Sequence, residues 1–156
     1  MLSALQELFN FTPDKEGANN QLDIKLAAAT LMFELIRADG NVDPNEVTHM
    51  REILVSQFAL DNNAVDRLCQ LAEENAIEAI SLHAFTREIC EQWDNSKRVE
   101  LLENLWFLAL SDEIIDSHER HLVRKIANLL YLNETEIIQT RERARQRVTS
   151  ELSNEC

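Results

Sequence analysis

Two stretches 73 residues apart decide the fold: ADGNVDPNE at 38–46 and SDEIIDSHE at 111–119. Shifted onto each other, Asp39, Val42, Asp43 and Glu46 fall on Asp112, Ile115, Asp116 and Glu119. In the first copy Asp43 stands where a helix N-cap belongs, Pro44 at the first helical position and Glu46 at the third. That is a capping-box pattern, with proline where its missing N–H costs nothing. Asp116 and Glu119 repeat the pattern.

Each copy is flanked in the same way. Before it, Leu22, Leu26, Ala29, Phe33 and Ile36 recur at helical spacing, as do Ile24, Ala28, Leu31, Leu35 and Ala38. Only Asp23, Thr30, Glu34 and Arg37 are left for a polar stripe, so this helix is expected to be largely buried. Val99, Leu101, Leu102, Leu105, Trp106, Leu108 and Ala109 make a second such helix before the second copy. After each copy comes an amphipathic helix: one to about Phe58, and one whose core face is Leu122, Val123, Ile126, Leu129 and Leu130. The repeating unit reads as helix, acidic loop, helix, and two copies suggest pseudo-twofold packing.

The remaining helices follow from their caps. Asp61 opens one to about Ala76, Ser81 one to about Trp93, Ser96 the buried helix of the second copy, and Asn133 with Glu136 the last, towards Ser150. A short helix at 3–9 and the polar stretch FTPDKEGANN give an N-terminal segment of 1–19 ahead of a helical domain at 20–156. The expected fold is all-α, a bundle of about seven to eight helices. With two Gly and two Pro in 156 residues, nothing in the composition interrupts it.

A net charge of −13 and a pI near 4.7 set duplex nucleic acid aside as a partner and favour divalent cations or basic proteins. The charge is uneven. Residues 120–147 hold seven Lys/Arg against three Asp/Glu, so an acidic molecule carries one basic end. Three cysteines, Cys69, Cys90 and Cys156, with no CxxC spacing, argue against a disulfide framework and for a reducing compartment. No apolar run is long enough to span a bilayer, and MLSALQELFNF lacks a basic leader. The expected location is the cytoplasm.

The Ala-Asp-Gly motif with its trailing Glu at 38–46, and its second copy DEIIDSHERHLVRKIANLLYL at 112–132, resemble the TerB-like family over roughly residues 20–145. They are similar, too, to the TerB-like segment of the membrane-anchored co-chaperone DjlA. Glu113 stands where the family usually has Gly, and no His-Pro-Asp tripeptide is present, so J-domain activity does not carry over. The resemblance implies an all-α module associated with tellurite and other stress resistance, with an acidic surface that takes divalent metal.

The residues themselves leave two readings of the acidic loops open. Asp43, Glu46, Asp116 and Glu119 are accounted for as caps, each cap worth roughly 0.5–2 kcal/mol. Asp39 and Asp112 are not, because each follows a helix C-terminus, where the macrodipole disfavours an anion by roughly 0.3–1 kcal/mol. A cation would compensate. Asp39, Asn41, Asp43 and Glu46 in one loop, and Asp112, Asp116 and Glu119 in the other, offer the oxygen donors of a hard cation: Ca²⁺ foremost, with Mg²⁺, Mn²⁺ or Zn²⁺ as the other candidates. The spacing is not an EF-hand, since Pro44 and Glu46 fall at the sixth and eighth places of a loop that needs Gly at six and Glu at twelve.

Other chemistry is thin. His118 and His121 could share a helix side but read as solvated histidines, and His49 and His83 show no partner. Cys69 and Cys90 read as inert helical thiols. Arg141, Arg143, Arg145 and Arg147 fall as two pairs on opposite faces of the last helix, a poor binding stripe and a good complement to its dipole. No nucleophile, glycine loop or acid/base pair stands out. The sequence therefore predicts a non-enzymatic binding module with an unidentified protein partner. A metal-dependent hydrolase and a metal-free, co-chaperone-like interaction domain remain the alternatives.

Overall fold

A computed structural model describes residues 16–38, 40, 42–77, 82–110 and 117–154. Seven helices are found among them: α1 (Glu16–Ile36), α2 (Pro44–Phe58), α3 (Asn62–Ile77), α4 (Leu82–Gln92), α5 (Asn95–Leu110), α6 (Ser117–Leu129) and α7 (Glu134–Asn154). The short helix expected at 3–9 lies outside the described residues. α1 begins at Glu16, inside the stretch read as a linker. Gly17 sits in its first turn, where a helix has no N–H bonds to lose and glycine's cost is small.

α1 and α5 are the two central helices. Residues 26–33, Leu35 and Ile36 of α1 are buried, as are Leu101, Leu102 and residues 104–110 of α5. Thr30, expected on a polar stripe, is wholly buried instead, and its hydroxyl donates to the Leu26 carbonyl at 2.7 Å. A buried hydroxyl is tolerable once it is bonded.

The repeat is larger than the acidic loops alone indicate. α1 packs chiefly on α3, and α5 chiefly on α7, while α2 and α6 each lie against the central helix of their own unit and, less extensively, against that of the other. Helix by helix, α1–α2–α3 corresponds to α5–α6–α7. α4 is the segment between them, seated on α1 and α6. Buried positions coincide under the same shift: Glu46 with Glu119, Met50 with Val123, Ile53 with Ile126, Leu54 with Ala127. In the third helices the offset drops by one residue, and Val65 and Ala72 match Ile137 and Ala144.

Helix ends obey local chemistry. The Asp43, Asp61 and Asn133 side chains accept from the backbone N–H of Asn45 (2.8 Å), Ala64 (2.7 Å) and Glu136 (2.8 Å). Glu136 reciprocates to the Asn133 N–H at 3.0 Å, completing the box read from sequence. α5 departs from expectation: its cap is Asp94, which accepts from the Lys97 N–H at 3.1 Å, so the helix starts at Asn95 rather than after Ser96. Ser96 falls at the second helical position, already inside the helix, so Asp94 just before it takes the capping role. Ser81 lies outside the described residues.

α2 and α6 both end on a left-handed residue, Ala59 (φ 53°) and Tyr131 (φ 60°). The following N–H reaches back five residues in each, Leu60 to Val55 at 3.3 Å and Leu132 to Ala127 at 3.1 Å, closing a Schellman motif. Tyr131 is 80% exposed and buries almost nothing there. Left-handed backbone costs a residue with a Cβ about 1–2 kcal/mol, and glycine gives back about 0.4–1 kcal/mol through the freer unfolded chain. Tyr131→Gly is therefore expected to raise stability by about 0.5–1 kcal/mol in urea unfolding. A lower urea midpoint would contradict this account of the turn.

Glu136 also gives the fold a pH dependence. Its carboxyl is held below its ordinary 4.5 by the Asn133 N–H first, then by the Asn95 amide at 2.7 Å, with Arg98 adding. A group lowered on folding adds stability above its unfolded value and loses it as pH falls through the folded value. The stability gap between wild type and Glu136→Gln should thus be constant above pH 4.5 and shrink below it. A gap that widens in acid would reverse the sign and dismiss the cause.

Candidate functional site

The two acidic loops join α1 to α2 and α5 to α6. α1 ends at Ile36 and α5 at Leu110, so Asp39 and Asp112 each follow a helix C-terminus within three residues. Asp39, Asn41, Asp112 and Asp116 lie outside the described residues. At the near edge of the first loop the Gly40 N–H donates to the Arg37 carbonyl at 3.0 Å with φ +88°. Nothing would crowd a Cβ at Gly40, so backbone sign rather than space demands glycine.

Past the loop, Asp43 caps α2. Glu46, one turn on, is 2% exposed, and Glu119 in the first turn of α6 is 3% exposed. Both face inward with the core stripe of their helix: Glu46 with Met50 and Ile53, Glu119 with Val123 and Ile126. Sequence spacing identifies these glutamates as third helical positions, but their burial is a property of the packed helices.

A hard cation suits this donor set, which holds only carboxylate and amide oxygens. Zn²⁺, which favours nitrogen and sulfur, suits it less. Asp43 and Glu46 are the first loop's described donors, and Glu119 the second's. Among the described residues no three His, Cys, Asp or Glu side chains converge as a ligand group. Ligands completing either loop would come from Asp39 and Asn41, or from Asp112 and Asp116.

The other candidates resolve differently. His49 packs edge-on against Phe107, ring centroids 5.4 Å apart. His118 and His121 are exposed and line a groove between the end of α1 and the start of α6. The arginines of α7 are structural ties. Arg143 and Arg147 share Glu103 at 2.8 and 3.0 Å, and Arg147 also donates to Asn104 at 3.0 Å and covers the Phe107 ring at 4.4 Å. Arg141 lies over Trp106, its guanidinium carbon 5.6 Å from the ring centroid, while Arg145 pairs with the exposed Glu142 at 3.8 Å. Cation–aromatic contact and shared carboxylates, more than the helix dipole, fasten this helix.

Sequence reasoning missed Arg98, which donates to the Leu130 carbonyl at 2.8 Å and closes the end of α6 from α5. Position 98 carries no local sign of a contact 32 residues away. Cys69 and Cys90 are free thiols. Burial pushes the Cys69 thiol up, Arg51 opposing and Asp66 adding. A raised thiol is a weak nucleophile, which agrees with an inert role. No helix among the described residues is long and apolar enough to cross a membrane.

Fold and loops together define an all-α module of two related three-helix units, each with an acidic loop between its first two helices. The chain belongs to the family of the tellurite resistance protein TerB, whose family model matches residues 25–142. That match runs from the described start of the α1 core to the middle of α7 and takes in both loops. No curated protein and no solved structure gave a match.

Proposed function

We propose that this chain is a non-enzymatic, cytoplasmic binding module, associated with tellurite and stress resistance, whose acidic loops hold a divalent cation, Ca²⁺ foremost, and which acts on a protein partner. The observation that supports the cation is the burial of Glu46 and Glu119 at the same place in both units. Capping alone does not call for it. Glu136 completes a capping box on α7 while remaining partly exposed. Each glutamate stands within eight residues of sequence of two loop aspartates, Asp39 and Asp43 or Asp112 and Asp116, and three carboxylates so spaced are the donors a hard cation takes.

The test is thermal unfolding of chelator-treated protein with Ca²⁺, Mg²⁺, Mn²⁺ or Zn²⁺ added singly. A ligand that binds the folded state alone stabilises it by about 2.7 kcal/mol at a hundred times its Kd. The midpoint should rise with Ca²⁺. The rise should vanish in Asp39→Asn while that variant's metal-free midpoint stays at the wild-type value, and weaken in Glu46→Gln. No shift with any ion, or an undiminished shift in Asp39→Asn, would sink the cation reading and leave capping sufficient. Phosphatase and nuclease assays with Mg²⁺ or Mn²⁺ should show no turnover. Turnover lost in Asp39→Asn would instead establish the hydrolase alternative.

A further inference from the structure

The groove between the C-terminal end of α1 and the N-terminal half of α6 has a volume of about 640 Å³, within the range of small-ligand sites. His118, His121, Leu122 and Lys125 line it from α6, Glu34 from α1 and Arg37 from just past its end. On α6 the spacing 118, 121, 125 sets two imidazoles and an ammonium along one helix face. Glu34, the lone carboxylate among these six, is engaged by Arg37 Nε at 3.6 Å. A concave surface with this balance is out of keeping with a chain of net charge −13.

The internal repeat provides a built-in comparison. Under the 73-residue shift Arg37, His118, His121 and Lys125 correspond to Leu110, Asn45, Thr48 and Glu52, none of them basic. Of these only Glu52 lines a groove on that side of the molecule, together with Glu100 and Glu103, and the arginine there, Arg147, is committed to Glu103. The cations of the α1–α6 groove thus have no basic counterpart in the other unit, so they are not a by-product of building the bundle.

We propose that the α1–α6 groove binds a phosphate group. Arg37 supplies a planar fork of N–H donors, Lys125 a point charge, and the two histidines further donors, the combination that recognises a tetrahedral oxyanion. Leu122 provides apolar wall for whatever the phosphate is attached to. This site is separate from the cation reading of the loops and does not depend on it.

Inorganic phosphate and a phospholipid headgroup present the same chemistry, and two arms separate them. In the first, inorganic phosphate is titrated into chelator-treated full-length protein while the His118 and His121 ring signals are followed by NMR. In the second, the protein is floated with phosphatidylcholine vesicles with and without phosphatidylglycerol. The double variant Arg37→Gln/Lys125→Gln and the control Lys97→Gln, an exposed lysine of α5, are run in both. Saturable ring shifts, weakened about fivefold per lost cation in the double variant and unchanged in the control, would establish a site for free phosphate. Flotation that requires phosphatidylglycerol and is lost in the double variant alone, without solution binding, would make the phosphate lipid-borne. Absence of binding in both arms, or binding that the double variant retains in full, would overturn the proposal.

Discussion

Trp106→Ala is expected to lower the unfolding free energy by about 3–5 kcal/mol, the cost of emptying a large aromatic site in a core that only partly collapses. Trp106 is wholly buried in the middle of α5 and lies under the guanidinium of Arg141. Its loss removes core volume and the aromatic face on which α7 rests. The indole N–H adds a finer expectation: it is buried and finds no acceptor among the described residues. An unmatched buried donor costs about 1–3 kcal/mol, so Trp106→Phe, which discards it and keeps a ring, should cost well under half of the alanine loss. Urea midpoints of the three proteins decide the matter. Equal losses for alanine and phenylalanine would show that the N–H is satisfied, and an alanine loss below about 1 kcal/mol would remove Trp106 from the centre of the core.

Glu103→Ala should cost about 1–2 kcal/mol. Glu103 accepts from Arg143 and Arg147 together, at one-fifth exposure, and Arg147 also holds the Asn104 amide oxygen. Asn104, 7% exposed, in turn donates to Gln57 at 3.2 Å, so the network ties α7 to α5 and α5 to α2. An isolated exposed ion pair contributes about 0–1 kcal/mol, and Arg145 with Glu142, both more than half exposed, should behave that way. A shared, partly buried carboxylate exceeds that figure because its removal strands two guanidinium groups at once. A double-mutant cycle on Glu103 and Arg147 should therefore give a larger coupling than one on Arg145 and Glu142, and 1 M salt should reduce both. Equal couplings would reduce the network to ordinary surface charge.

Much of this architecture was legible before any coordinates. Helical spacing from Ile24 to Ile36 and from Leu101 to Leu110 announced two buried helices, and aspartate and asparagine at 43, 61 and 133 marked helix starts, because both signals are local. The repeat was legible in the acidic loops, where Asp39, Asp43 and Glu46 recur as Asp112, Asp116 and Glu119, and in the helices on either side. Its third helices share burial at Val65 and Ile137 but little sequence, and the one-residue change of offset hides them from a fixed shift. Of the candidate cation site, the oxygen donors and their order along the chain could be read. Whether a given glutamate turns inward could not, because Glu46 and Glu136 hold the same capping position, yet Glu46 is buried and Glu136 partly exposed.

The sequence by itself determined that the chain is all-helical, where most of its helices begin, that two units repeat, and that negative charge gathers in the loops. Propensity, capping and periodicity act over a few residues and need no partner. Only the tertiary structure decided that three helices rather than two form each unit, that Arg98 closes α6, that Arg143 and Arg147 converge on Glu103, and that Arg37 and Lys125 line one groove. Those outcomes depend on residues about 30 to 90 positions apart meeting across helix faces, and no local pattern encodes such a meeting.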